Sequence, residues 1–332
     1  MASTLRQPIS IQAPEQGAER LDLSVIIPVF DEEDNLTPLY LALKPVLEGL
    51  GKSFEIVFVD DGSKDGSERV LRALNARDPS CRVIRFRRNF GQTAAMAAGF
   101  THARGDVMIT LDADLQNDPN DIPTLLKKVD EGYDVVSGWR IRRKDKFVTR
   151  RIPSICANWL ISRITGVRLH DYGCTLKAYK REVAQNIELY GEMHRFIPAI
   201  ASWMGVNVAE VPVNHLPRQY GRSKYGLSRT IRVFLDLITV KFLLSYATKP
   251  LQMFGSVGVG ASLLGFVMAM YLSFDKLIRG HGLANRPALF LAILLILVGI
   301  QFITMGLLGE MMVRIYHEGQ GKPIYVIREI LG

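Results

Sequence analysis

The sequence predicts an α/β protein: a mostly parallel sheet covered on both sides, then amphipathic helices at a membrane surface and a hairpin of two membrane-spanning helices. Two observations predict the sheet. Short β-rich runs alternate with helical patterns over the first two hundred or so residues, and clustered carboxylates follow several of those runs. A third predicts the hairpin, because Leu251 to Phe274 and Ala288 to Gly309 contain no Asp, Glu, Lys or Arg.

The predicted strands are Leu23 to Val29, Phe54 to Asp60, Arg82 to Phe86, Val107 to Leu111 and Asp134 to Ser137. Helical stretches separate most of them, and such βαβ alternation gives right-handed crossovers and a sheet whose ligands sit at the carboxyl ends of its strands. Before the first strand, the segment to Glu19 is polar, contains Pro8, Pro14 and Gly17, and lacks the apolar core of a signal peptide. It reads as a disordered leader.

Both uncharged runs are long enough to cross a bilayer, since about twenty helical residues at ~1.5 Å each match a hydrocarbon core of ~30 Å. The short polar link from Asp275 to Pro287 makes them a hairpin with both flanks on one side. That link carries Lys276, Arg279 and Arg286, which weakens the positive-inside signal. The polar leader favours the cytosol. Ahead of the hairpin, Thr230 to Tyr246 mixes Ile231, Val233, Phe234, Leu235 and Leu237 with Arg232, Asp236 and Lys241, a pattern for a helix on the bilayer surface or in the soluble core. The expected organisation is a leader to residue 20, a catalytic domain over 21–228, interfacial helices over 229–250, spans over 251–274 and 288–309, and a cytosolic tail over 310–332.

A net charge of +8 suits nucleic acid, anionic lipid or a phosphorylated substrate. Its distribution says more. Arg140, Arg142, Arg143, Lys144, Lys146, Arg150 and Arg151 crowd one stretch in which Asp145 is the only acid, the composition of a polyanion site or of a solvated loop. Cys81, Cys156 and Cys174 have no paired spacing, so neither a disulfide framework nor a structural zinc site is expected, and a reducing compartment fits. His102, His170, His194 and His215 show no ligand spacing.

Three acidic groups follow strands: Asp31, Glu32 and Glu33; Asp60 and Asp61; Asp112 and Asp114. Asp112-Ala113-Asp114 at a strand end can present two carboxylates to a hard divalent cation, Mg2+ or Mn2+, which bridges diphosphate oxygens. Such a triplet alone is often only a turn. In context it gains meaning, because Val25-Ile26-Ile27-Pro28-Val29-Phe30-Asp31-Glu32, Val59-Asp60-Asp61-Gly62-Ser63 and Asp112-Ala113-Asp114-Leu115-Gln116 occur in this order on successive βα units. Together they resemble the family 2 glycosyltransferases of the Rossmann-like GT-A fold. The resemblance implies nucleotide binding by Pro28, Phe30, Glu32, Asp60, Asp61 and Asp112. It implies metal binding by Asp112, Asp114 and Gln116.

Further motifs, Arg88-Asn89-Phe90-Gly91-Gln92, Asp171-Tyr172-Gly173-Cys174 and Gly221-Arg222-Ser223-Lys224-Tyr225, together with the hairpin, resemble the polyprenyl-phosphate glycosyltransferases. That group includes dolichol-phosphate mannose synthases and bacterial undecaprenyl-phosphate glucose and aminoarabinose transferases, the last being most similar in wording. The resemblance implies inverting transfer of a sugar, from a UDP-sugar by preference, to polyprenyl phosphate for envelope glycan or lipid modification. Arg140, Arg150, Ser154, Arg218, Ser223 and Lys224 would hold the acceptor phosphate, and Asp171 matches the group's proposed base. Since a phosphate monoester is largely ionised near neutral pH (second pKa ~6), Asp171 has the alternative of positioning. The implied setting is a multi-pass protein of a bacterial inner membrane with its catalytic domain in the cytosol, no nucleic acid partner and a homo-oligomer, up to a tetramer.

Two competing readings share the donor sheet. A processive polysaccharide synthase should carry more spans and a Gln-Arg-Trp motif, where this chain has Gln219, Arg222 and Ser223. A non-catalytic anchor or flippase subunit should bind nucleotide without transfer. Two structural expectations complete the reading. Gly255, Gly258, Gly260 and Gly265 allow close helix approach, and Pro323 to Ile327 forms an edge strand able to pair with a neighbouring chain.

Overall fold

The computed structural model describes residues 20–141, 161–163, 166–187, 194, 196–202, 204–217, 250–280, 287–319 and 325–332. The expected leader, the expected interfacial segment before Pro250, and Arg150, Ser154, Arg218, Ser223 and Lys224 lie outside them.

The chain alternates β1 (Leu21–Val29), α1 (Glu33–Gly49), β2 (Phe54–Asp60), α2 (Ser67–Arg77), β3 (Cys81–Phe86), α3 (Gln92–His102), β4 (Gly105–Thr110), α4 (Ile122–Asp130) and β5 (Val135–Arg140). All five predicted strands are present, within about two residues at most ends. β6 (Lys177–Lys180), β7 (Val208–Val213) and β8 (Ile327–Leu331) complete an eight-stranded sheet of order β7-β5-β6-β4-β1-β2-β3-β8. β1 to β4 are mutually parallel, β5 is parallel to β7, and β6 and β8 run against their neighbours. Helices on both faces explain why Val25, Ile26 and Ile27 of β1 and Ile56, Val57 and Phe58 of β2 are all fully buried rather than alternating. α1 supplies Leu36, Leu39, Leu43 and Leu47 to the same core, and this stripe holds the helix despite Pro38 and Pro45 inside it.

β6 decides where the site forms. Lys177 pairs with Thr110 and with Ser137, so β6 begins at the edge where β4 ends. The segment from Asp171 to Leu176 is thereby delivered to the carboxyl ends of β4 and β5, where Thr110 bonds the Thr175 carbonyl and Arg140 bonds Asp171.

The C-terminal strand corrects one expectation. It forms over Ile327–Leu331, beginning at the last residue of the expected run, of which Pro323 and Ile324 lie outside the described residues, and pairs antiparallel with β3 of its own chain, Ile84 opposite Ile330 and Arg85 opposite Glu329. Its inner edge is therefore used within the chain. Two compact units result: the sheet domain, which includes this last strand, and a pair of long helices.

The long helices are Pro250–Arg279 and Pro287–Gly319, each extending past its uncharged run. Segments Leu251–Arg279 and Pro287–Gly309 have mean hydropathies of 1.8 and 2.6, and large side chains such as Leu263, Phe266, Phe290 and Leu294 are exposed along them. Such surfaces suit lipid. Two spans of this kind occur among the described residues, so "multi-pass" reduces to a single hairpin.

The glycine series divides. A Cβ on Gly258 would lie 2.5 Å from the Gly299 carbonyl oxygen and one on Gly265 2.7 Å from that of Ala292, whereas Gly260 faces nothing within 4 Å. Gly299 and Gly306 of the second helix face the first helix in the same way. Gly258→Leu should thus lower the thermal stability of the detergent-solubilised protein by about 1–3 kcal/mol, the usual cost of overpacking, while Gly260→Ala leaves it unchanged. Equal effects at the two positions would show that the helices do not meet through Gly258.

Candidate active site

The carboxyl edge of the parallel strands carries most of the described residues predicted for chemistry. Pro28 lies in β1 opposite Val59, with Phe30 and Glu32 just beyond the strand, and Asp60 ends β2 opposite Val29. The β1 loop is tied to the β2 loop: Asp31 N donates to Ser63 Oγ at 3.0 Å, Lys64 N to Asp31 Oδ1 at 2.8 Å, and Glu32 N to Ser67 Oγ at 3.1 Å. Asn35 donates to Glu32 Oε2 at 2.6 Å. Asp31 holds φ +51°, a left-handed conformation that a non-glycine residue keeps only when its surroundings enforce it.

Asp60 and Asp61, both buried, hold different loops. Asp60 Oδ1 accepts from Ser63 N at 2.9 Å and Oδ2 from Arg85 Nε at 3.2 Å. Asp61 accepts from Phe90 N at 2.6 Å and Gly91 N at 2.8 Å, so it ties the β2 end to the Arg88 to Gln92 motif. Gly62 is needed between them, at φ +71° and with a would-be Cβ 2.5 Å from the Arg88 carbonyl carbon. Burial outweighs the two amide bonds and, with the neighbouring Asp60 charge, pushes the Asp61 carboxyl up to about 6.

This shift has a consequence for stability. A carboxyl raised in the folded state binds its proton more tightly there than in the unfolded chain, so its contribution is favourable in acid and is lost as pH rises from its ordinary value near 4 through about 6. Relative to Asp61→Asn, the wild-type protein should lose on the order of 1 kcal/mol between about pH 5 and about pH 7. Thermal unfolding of both proteins at the two pH values measures it, and parallel profiles would refute the assignment.

Asp112 and Asp114 follow β4. Gln92 Nε2 donates to Asp112 Oδ1 at 2.9 Å, and Gln116 N donates to Asp114 Oδ1 at 3.2 Å. Just after Asp114, Leu115 sits at φ +59°, strained for so bulky a residue. Burial first, then the Asp114 charge, raises the Asp112 carboxyl, with Thr175, Arg140 and Lys177 opposing. Two like-charged oxygen ligands held together in this way fit a hard divalent cation that takes its other ligands from a diphosphate. Among the described residues no group of three or more His, Cys, Asp or Glu side chains has metal-binding geometry.

Arg140, at the end of β5, and Asp171 form a bidentate pair whose side chains are 14 % and 3 % exposed. Nε donates to Oδ2 at 2.7 Å and Nη2 to Oδ1 at 3.0 Å, while Gly173 N adds a bond to Oδ1 at 3.0 Å. Although burial pulls the guanidinium down, the Asp171 bond and charge hold it above its ordinary value. Asp171 N and His170 N both donate to Glu210 carboxylate oxygens, and the His170 ring stacks on Trp139 with centroids 4.2 Å apart.

Sequence reasoning missed Lys177, Gln92 in its role at Asp112, and Arg85. Lys177 is 2 % exposed and its ammonium bonds the Tyr172 and Cys174 carbonyls, with burial drawing its pKa down. A lysine in a four-residue strand gives no sequence signal. Gln92 stood in a quoted motif, where only its contact with Asp112 was lacking. Cys81 and Cys174 are buried free thiols, and His194 Nδ1 lies 2.8 Å from Thr93 Oγ1.

Residues 24–188 match Glycosyl transferase family 2. The chain is 42 % identical over 324 residues, 96 % of both chains, to a dodecaprenyl-phosphate galacturonate synthase of Rhizobium johnstonii. It is also 41 % identical, over 93 % of its own length and 92 % of the relative's, to an undecaprenyl-phosphate 4-deoxy-4-formamido-L-arabinose transferase of Shewanella sediminis. Among solved structures, glucosyl-3-phosphoglycerate synthase of Mycobacterium tuberculosis, in complex with Mn2+, UDP and glucosyl-3-phosphoglycerate, shares the fold at a TM-score of 0.53 and 17 % identity, covering 68 % of this chain and 80 % of that one. With the carboxylate motifs on the strand ends that bear them, and with relatives this similar over nearly the whole chain, the protein is a glycosyltransferase and belongs to family 2.

Proposed function

We propose that the protein transfers a sugar from a nucleotide diphosphate sugar, a uridine nucleotide by preference, to the phosphate of a polyprenyl lipid at the inner face of a bacterial plasma membrane. The observation that carries it is the gathering of Asp60, Asp61, Asp112, Asp114 and the Arg140–Asp171 pair at one sheet edge in a chain that also holds two apolar helices. The names of the relatives, both polyprenyl-phosphate sugar transferases, support the acceptor class.

In this proposal Pro28, Phe30, Glu32, Asp60 and Asp61 surround the nucleoside. Asp112, Asp114 and Gln116 would hold Mg2+ or Mn2+ with the diphosphate, and the cation would supply positive charge to the leaving group. Mn2+ and UDP in the fold neighbour support that chemistry. A lipid phosphate oxygen attacks the anomeric carbon, the bond from that carbon to the diphosphate oxygen breaks, and the configuration inverts. No proton needs to be removed from an acceptor that is already ionised. Asp171, with both oxygens engaged by Arg140 and one also by Gly173, therefore acts by fixing the Arg140 guanidinium, whose Nη1 lies outside that pair. Arg140 meets the acceptor phosphate, together with Arg150, Ser154, Arg218, Ser223 and Lys224. Catalysis comes from alignment and fixed charge, and the hairpin ties the enzyme to the membrane that carries its acceptor. Assembly into a homo-oligomer, such as a tetramer, belongs to the same proposal and is read from native mass in detergent.

The test incubates purified protein with undecaprenyl phosphate, Mg2+ or Mn2+ and a panel of nucleotide sugars that includes uridine diphosphate galacturonate and formamidoarabinose. Mass spectrometry should find a monoglycosylated lipid phosphate with one of them. Binding of lipid and nucleotide with no product across the panel would sink the proposal in favour of a non-catalytic role.

A further inference from the structure

We infer that the last strand of the chain, β8, is a working part of the donor site, with Glu329 acting as a positioning residue for Asp60 through Arg85. This inference rests on the reading of Asp60 as a nucleotide-site residue. Asp60, Arg85 and Glu329 are register partners on three adjacent strands, forming one lateral row of acid, base and acid. Their side chains make the same row: Arg85 Nε donates to Asp60 Oδ2 at 3.2 Å and Arg85 Nη1 to Glu329 Oε1 at 2.5 Å. Its third nitrogen, Nη2, donates to Glu68 Oε2 at 2.5 Å. The Arg85 side chain is 5 % exposed and that of Asp60 is fully buried, so the guanidinium fork cannot shift without stranding a charge. Arg72 also bonds Glu329 and, through Nε, Glu68 at 3.1 Å, which closes the network on its solvent side.

A second path runs from the same segment. Tyr325 stacks on Phe86 with centroids 5.2 Å apart, and Phe86 meets Phe90 edge-on at 5.7 Å. Arg87 N donates to Val326 O at 3.1 Å. Phe90 and Gly91 are the residues whose amides Asp61 binds, and the next residue, Gln92, holds Asp112. Both buried carboxylates that end β2 are thus supported by residues that come after the two apolar helices in sequence. A carboxylate whose oxygens must meet a nucleoside in one orientation needs such support, because a small rotation loses the contact. Glu329 itself is outside the apolar core: Val83 and Ile84 are fully buried, whereas the Glu329 side chain is partly exposed and paired with Arg85 and Arg72.

The test uses the full-length protein and three substitutions on one strand. Glu329→Gln, nearly isosteric, should raise the KM for the nucleotide sugar about tenfold, the scale of one charge-assisted hydrogen bond, and leave the KM for polyprenyl phosphate unchanged. Hydrogen exchange at the Ser63 amide, which Asp60 binds, should accelerate in the same variant. Glu329→Asp should restore part of the donor KM, and Arg328→Ala, at an exposed position of β8, should match wild type. A Glu329→Gln protein with wild-type donor KM and wild-type Ser63 exchange overturns the inference, as does one that merely melts earlier with both KM values intact. If Ser63 exchange responds while the wild-type protein uses no nucleotide sugar, the positioning of Asp60 stands and the nucleotide reading fails.

Discussion

Asp112→Asn and Asp114→Asn should each reduce the rate of sugar transfer to lipid phosphate by on the order of 10²–10³, the range seen when one fixed charge-stabilising group is lost from a site of this kind. The two carboxylates stand two residues apart, close enough for the Asp114 charge to help raise the Asp112 carboxyl. Holding them there opposes folding, and a cation shared with a diphosphate would offset that repulsion. Since they act as one unit, the double variant should fall little below either single one. Chelation should abolish transfer and added Mg2+ or Mn2+ restore it. Single-turnover formation of the glycosylated lipid, followed by mass spectrometry, measures all four. Rates within about threefold of wild type in both single variants, less than about 1 kcal/mol of barrier, would remove these residues from the chemistry.

The second large effect is expected at Arg140 and Asp171. Arg140→Ala leaves the buried Asp171 carboxylate without its partner and should destabilise the protein by about 3–5 kcal/mol, whereas Asp171→Ala leaves Arg140, 14 % exposed, within reach of water and should cost less. Replacing both by Leu should recover much of that loss, because two desolvated charges are then absent. Transfer should not recover, since the guanidinium proposed to meet the acceptor phosphate is gone. Thermal unfolding and single-turnover rates on the four proteins form a double-mutant cycle. If Asp171→Ala stops transfer without affecting stability, and Arg140→Ala does not resemble it, Asp171 works on its own and the base reading regains ground.

The strands were legible because each is a compact apolar run that a doubly covered sheet buries on both faces, as Val25 to Ile27 and Ile56 to Phe58 show. β6 was not legible. Four residues, Lys177 to Lys180, with a lysine at each end, carry no periodic signal, and their strand state depends on β4 and β5 lying on either side. β8 was half legible: a strand was expected near the C-terminus, but its register and its partner β3 depend on Arg85 standing where Glu329 can reach it.

The glycosyltransferase motifs could be read as motifs, and their order along the chain placed them on successive βα units. Which carboxylate does what could not be read. Asp60 and Asp61 are adjacent in sequence, yet one faces Ser63 and Arg85 and the other the Phe90–Gly91 amides. Asp171, matched to a base from its motif, proves to be bonded through both oxygens to Arg140, thirty-one residues earlier.

By itself the sequence determined the class of sheet, the two apolar helices and the identity of the carboxylate motifs, all of which follow from local pattern: period, run length and residue type within a few positions. Only the tertiary structure decided the placing of Lys177 beneath the site, the pairing of Arg140 with Asp171, the close approach of Gly258 to Gly299 and the joining of the last strand to Asp60. Each of these is a contact between residues distant in sequence, and burial made it obligatory: a charge or polar group removed from water must find its partner wherever the fold brings one within reach.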